Sequence, residues 1–166
     1  MCIDNICIYI NFVQQLKMKL EEAIKQKMFK TEDERLVINM VYTSGWLNAE
    51  QARYFKQFGI SPEQYNVLRI LRGQQPNPAS VSLIQERMLD KMSNASRLIE
   101  KLKQKEFVER NACPNDRRQV DVKITDKGMK LLALIDSEAD LMHAICKSLT
   151  QQEKETLNTL LDKFRN

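Results

Sequence analysis

Apolar residues recur along this chain in two periods. From Thr31 to about Phe58 the positions Leu36, Val37, Met40, Val41, Ser44 and Leu47 fall at the threes and fours of a helix. From Val120 to Ile124 apolar and polar residues alternate, as in a half-buried strand. Four helix starts stand out, because a Ser or Thr followed three residues later by Glu or Gln can satisfy two orphaned amides reciprocally. They are Thr31 with Glu34, Ser61 with Gln64 and Pro62 at the first helical position, Ser82 with Gln85, and Thr150 with Glu153. Gly59 and Gly73 read as the ends of the first two helices.

Between these marks lie the remaining elements. Gln74 to Ala79, with two prolines, reads as a loop. Ser82 to about Leu89 is a short helix, Asp90 a tight break, and Lys91 to Lys105 a second helix with Met92, Ala95, Ile99 and Leu102 on its inward stripe. Phe107-Val108 and Val120–Ile124 make a hairpin around the turn Cys113-Pro114-Asn115-Asp116. A helix of about 24 residues should follow from Asp126, carrying Leu131, Leu132, Ile135, Met142, Ile145 and Leu149. A last one should carry Leu157, Leu160, Leu161 and Phe164. Helix, turn, helix and hairpin in that order form a winged helix-turn-helix over residues 79–128. The class is therefore mainly α with a small β-hairpin wing.

Charge sharpens this picture. The chain of 166 residues carries net +4, but Arg87 to Lys130 holds twelve bases against seven acids, a local +5 that leaves −1 elsewhere. A basic block on a near-neutral remainder suits a polyanion site, although a solvated basic face has the same composition. On the helix after the break, Asn94, Arg97 and Lys101 lie opposite the apolar stripe, and Ser93 and Ser96 sit near the amino end, where a small hydroxyl side chain permits close approach to base edges. Asn can make bidentate contacts with adenine and Arg with guanine, and Lys101, Lys103 and Lys105 suit phosphates. An ordinary amphipathic surface helix is the alternative. At the hairpin tip, the adjacent guanidiniums of Arg117 and Arg118 can enter a narrow minor groove. Asp116 accepts from turn amides and holds Arg118; a solvated charged turn is the competing reading.

Other chemistry is poorly supported. Cys2, Cys7, Cys113 and Cys146 form no CxxC pair and His143 is the sole histidine, so neither a metal framework nor a disulfide scaffold is expected. With no GxxxxGK[ST], GxSxG or HExxH pattern, an enzyme is disfavoured, and no cofactor is expected. The apolar start is too short and too interrupted for a membrane span. It also lacks the features of a secretory signal, so a cytoplasmic protein with reduced thiols is the expectation.

The stretch from Ser93 to Leu102, then Phe107-Val-Glu-Arg110, then Asp116-Arg-Arg-Gln-Val-Asp-Val-Lys-Ile-Thr-Asp-Lys-Gly128 resembles the MarR family of dimeric transcription factors. The spacing of Asp116, Arg118, Ile124, Thr125 and Gly128 carries the resemblance best, and the helix order fits from about Thr31 to Phe164. It implies that residues around Ser93, Asn94, Ser96 and Arg97 read the major groove of a palindromic operator and that Arg118 is the minor-groove arginine of the wing. It divides the chain into N-terminal dimerisation helices over 1–60, a DNA-binding domain over 61–128 and C-terminal dimerisation helices over 129–166, the whole acting as a homodimeric repressor. Residues 1–17 match nothing in that pattern and read as an extension, a misassigned start before Met18, or a helical arm.

Many members of the family sense small aromatic molecules. Tyr42, Trp46, Tyr54, Tyr65 and Arg69 are the candidates by position, with plain core packing as the alternative. Some relatives sense oxidants through a cysteine, for which Cys113 beside cationic residues is the candidate. Glu106 departs from the family, which usually has Gly there; it must accept positive φ at a cost or end the helix differently. A winged-helix module that docks proteins and never touches nucleic acid is the remaining alternative.

Overall fold

The computed structural model describes residues 18–112, 120–138 and 141–166. They fall into two compact units, one built from residues up to 45 together with those from 139 onward, the other from residues 46–138.

The first unit holds α1 (Leu20–Ala23), the larger part of α2 (Glu32–Lys56), α7 (Leu141–Cys146) and α8 (Gln151–Arg165). Both predicted starts are seen. The Glu34 amide donates to Thr31 Oγ1 (3.1 Å), and Thr150 and Glu153 close a reciprocal box. Arg35 pairs with Glu21 at 2.8 Å. Much of the apolar periodicity here does not end in burial. Leu36, Val37, Val41 and Tyr42 on α2, and Leu157, Leu160 and Phe164 on α8, are exposed, and α8 buries no residue.

The second unit is built around α3 (Pro62–Gln74). Ser61 Oγ accepts from the Gln64 amide at 3.2 Å while Gln64 Oε1 accepts from the Ser61 amide at 3.1 Å. Its buried stripe of Val67, Leu68 and Leu71 packs against α4 (Val81–Arg87), α5 (Ala95–Gln104), α6 (Asp126–Ser137) and the sheet. The sheet has the order β1-β3-β2, all antiparallel, from β1 (Ala79–Ser80), β2 (Val108–Ala112) and β3 (Val120–Ile124). Val108 faces Ile124 and Arg110 faces Val122, so the alternation of β3 sends Val122 and Ile124 inward and Lys123 out. Leu68, Ile84, Met88, Ile99, Leu102 and Leu132 are the largest fully buried side chains; truncating any such leucine to alanine typically costs about 2–5 kcal/mol.

Several expectations are corrected. The helix α4 starts at Ser80, whose hydroxyl accepts from the Leu83 amide at 3.1 Å, and not at Ser82. Ser80 is held extended by pairing with Asp121, so it is the last residue outside the helix and the natural cap. That pairing also makes β1 a strand where a loop was expected. Gly73 lies inside α3, which ends before Gln75 because a residue preceding proline is driven to extended geometry. The long helix from Asp126 stops at Ser137, with Glu138 extended. The Ser137 hydroxyl donates to the Leu134 carbonyl at 2.8 Å, a local bond that competes with helix continuation.

Glu106 resolves its two alternatives in favour of strain, with φ at 63°. Its carboxylate pairs with Lys127 at 2.6 Å, and that hydrogen bond holds the carboxyl below its usual range. Both side chains are largely in water, so the pair adds little, whereas left-handed backbone disfavours any side chain with a Cβ. Glu106→Gly is therefore expected to raise Tm by a few degrees in a thermal melt. A fall in Tm would show that the Lys127 pair outweighs the backbone.

Candidate nucleic-acid interface

The segment between α4 and α5 is a turn held from three sides. Gln85, on α4, accepts from the Ala95 amide (3.0 Å) and donates to the carbonyls of Ser93 (2.9 Å) and Lys91 (3.3 Å). Asp90 accepts from the Met92 amide (2.9 Å) and the Ser93 hydroxyl (2.6 Å). Asn66, on α3, accepts from the Leu89 amide (3.0 Å), and the Lys91 ammonium donates to the Glu86 carbonyl. Donation from the Ser93 hydroxyl first, and then from the Met92 amide, lowers the Asp90 carboxyl below the ordinary aspartate range. A depressed folded value means that this support is present above the unfolded pKa and is lost as pH falls through the folded one.

These bonds explain why α5 begins at Ala95 and not at Lys91. The Asn94 side chain is its cap, accepting from the Arg97 amide at 3.0 Å. Met92 therefore lies before the helix and is 93% exposed, a correction to its expected place on the inward stripe. Ala95, Ile99 and Leu102 do occupy that stripe.

The predicted base-reading residues consequently divide. The Ser93 hydroxyl and the Asn94 carbonyl oxygen are engaged in the turn and the cap. Ser96, Arg97 and Lys101 are exposed, and their side chains make no hydrogen bond or ion pair among the described residues. Lys103 is exposed as well, but Lys105 is turned away, its ammonium donating to the Gly59 carbonyl (2.5 Å) and to Gln64 Oε1 (3.3 Å). Lys105 thus ties the end of α5 to the α2–α3 junction and is not presented to a phosphate. Asp116, Arg117, Arg118 and Cys113 lie outside the described residues, as do residues 1–17.

At the base of the wing, Thr125 donates its amide to the Phe107 carbonyl (3.1 Å) and its hydroxyl to the Glu106 carbonyl (2.8 Å). Its hydroxyl oxygen also accepts from the Gly128 amide (3.1 Å). One side chain thus caps α6 and clasps the end of α5. Gly128 is buried in this corner, its Cα side facing the Phe107 carbonyl and Ile124.

The aromatic candidates are only partly brought together. Tyr65 stacks on Phe55 (ring centroids 4.3 Å apart), and its hydroxyl accepts from Arg69 at 3.0 Å. Tyr54 is buried edge-on against Phe55 and Phe58. Trp46 is half-buried, and its Nε1 has no partner among the described residues. Tyr42 belongs to the first unit and is exposed. A cleft of about 250 Å³ in the second unit is lined by other residues, among them Asn48, Gln51, Asn66 and Leu89. The described residues contain no cluster of three or more metal-ligating side chains, and none of their helices is long and apolar enough to cross a membrane.

Gln85 and Asn66, which set the turn, were not found from the sequence. Gln85 enters the sequence reading only as the box partner of Ser82, and Asn66, flanked at helical spacing by Glu63 and Arg69, carries no local signal.

The model of the MarR family matches residues 60–120. The chain is 30% identical over 132 residues to the HTH-type transcriptional regulator MhqR of Bacillus subtilis, covering 77% of this chain and 86% of the relative. It is 27% identical over 111 residues to the HTH-type transcriptional regulator MgrA of Staphylococcus aureus, covering 67% and 74%. Among solved structures, a putative MarR-like transcription regulator from Bacillus cereus superposes with a TM-score of 0.72 at 26% identity, over 81% of this chain and 96% of that one. A mutant MarR from E. coli complexed with operator DNA gives 0.71 at 24% identity, over 83% and 99%, a likeness of fold.

Proposed function

The chain belongs to the MarR family, and from that premise we propose that it is a homodimeric transcription regulator that binds duplex DNA through α5 and the wing. The observation that carries this reading is the outward face of α5. Ser96, Arg97 and Lys101 stand clear of every internal partner described, on a helix whose start is fixed by the bonded turn. In a helix-turn-helix that face enters the major groove, where Arg97 suits guanine and Lys101 a phosphate. Arg118, with Arg117 beside it and Asp116 in support, takes the flanking minor groove. MarR and MepR are both seen with DNA in solved structures of this fold.

The dimer is supported by the exposed apolar stripes of α2 and α8, which a second copy would cover. Two recognition helices related by a two-fold axis read an imperfect palindrome with half-sites one helical turn apart. Such a regulator works in the cytoplasm, where its DNA is, as a repressor released by a small aromatic effector. A neighbour of this fold, BpsR from Bordetella bronchiseptica, is described with regulation of its DNA binding by 6-hydroxynicotinic acid. The Tyr65–Arg69 pair, within the second unit, offers such a ligand an aromatic face and one fixed cation. The remaining reading, a module that docks proteins only, gains nothing from an unpartnered basic face.

Salt titration on a duplex selected from a random pool tests the proposal. The slope of log affinity against log salt should be about −0.9 per phosphate neutralised, and a slope near zero would overturn it. Arg118→Ala is expected to weaken binding on all duplexes alike, whereas Arg97→Ala should relax preference at one base pair, by about 1–3 kcal/mol.

A further inference from the structure

Two large apolar side chains stand in solvent on the turn before α5. Leu89 is 87% exposed and Met92 93% exposed, the highest fractions among the large apolar residues described. Their exposure is not that of a loose loop. The Met92 amide is held by Asp90, the carbonyls of Lys91 and Ser93 by Gln85, and the Leu89 amide by Asn66. A rigid backbone that displays an apolar side chain to water gains nothing in the isolated chain, and the hydrophobic effect opposes it.

The two side chains differ in placement. Leu89 lines the cleft with Asn48, Gln51 and Pro62, on the α3 side of the turn. Met92 sits two residues before the Asn94 cap, at the end of α5 that enters the groove and next to the exposed Ser96–Arg97 face. There the only apolar groups that duplex DNA offers along its major groove are the 5-methyl groups of thymine. Methionine is unbranched and polarizable, so one side chain can reach a methyl at slightly different depths in two unequal half-sites.

We propose that Met92 is a specificity-determining residue that packs against thymine 5-methyl groups at the edge of the groove entered by α5. The inference rests on the DNA-binding reading above. Burying one methyl contributes about 0.8 kcal/mol, which is about fourfold in affinity per half-site and about an order of magnitude over two.

The test uses the full chain and a duplex selected from a random pool, in which each thymine is replaced in turn by uracil. Wild type should lose about fourfold at one thymine per half-site. Met92→Gln, close in length but polar, should bind the thymine and uracil duplexes alike, and Met92→Leu should keep most of the discrimination. Because the side chain touches almost nothing internally, the Tm of both variants should match wild type. Met92→Gln retaining the full thymine preference, or wild type showing none, overturns this inference while leaving DNA binding intact. Failure to bind either duplex overturns the DNA-binding reading and this inference with it.

Discussion

Gly128→Ala is expected to lower the stability of the protein by about 3 kcal/mol, read as an earlier midpoint in urea with an unchanged slope. A Cβ at this position would sit 2.7 Å from Ile124 Cγ1 and closer still to the Phe107 carbonyl oxygen. The backbone there is not in a glycine-only conformation, so the cost is one of space. The neighbour cannot retreat cheaply, because the Phe107 carbonyl is held by the Thr125 amide and lies where α5 ends and β2 begins. Overpacking of this kind costs about 1–3 kcal/mol, and the immobile carbonyl places this case at the upper end. A stability within 0.5 kcal/mol of wild type, on the order of an ordinary surface change, would mean that α6 slides away at no cost and that the Thr125 clasp is loose.

Gln85→Ala should have the second large effect, and in a different readout. One side chain supplies three of the bonds that fix the turn, and its loss leaves the buried start of α5 without a partner for the Ala95 amide. At about 1 kcal/mol for each net hydrogen bond, stability should fall by about 2–3 kcal/mol. Operator affinity should fall at least tenfold under conditions where the chain is still folded, because α5 is then no longer held at one angle to the groove. Gln85→Glu keeps the acceptor for Ala95 but loses both donors, and should fall between the two. Wild-type affinity in a folded Gln85→Ala would show that DNA itself, and not the turn, orients the helix.

The sequence announces most of this architecture through local chemistry. The boxes at Ser61–Gln64 and Thr150–Glu153, the alternation of β3 and the apolar spacing of Ala95, Ile99 and Leu102 each depend on neighbours a few residues away, and each is seen. What could not be read depends on distant partners. Ser82, with Gln85 three residues on, carries the stronger cap signature in the sequence, and only the pairing of Ser80 with Asp121 makes Ser80 the cap. Met92 extends the apolar period by one step into a stretch where Gln85 and Asp90 have already taken the amides a helix would need. Lys105 looks like another base on a basic helix, yet Gly59, 46 positions earlier, supplies the carbonyl it meets. The exposed stripes of α2 and α8 have the same cause: a helical period shows which face is apolar, not what covers it.

The division of labour in the turn bears on how such a chain can change over generations. Gln85, Asn66, Asp90 and Asn94 hold α5 in place from behind and at its start, while the side chains of Ser96, Arg97 and Lys101 bond to nothing among the described residues. Substitutions at the latter three leave folding stability almost untouched, so a duplicated copy can drift to a new operator through a series of intermediates that are all well folded. Variation among descendants should accumulate on that outer face, and purifying selection should fall on the residues behind it.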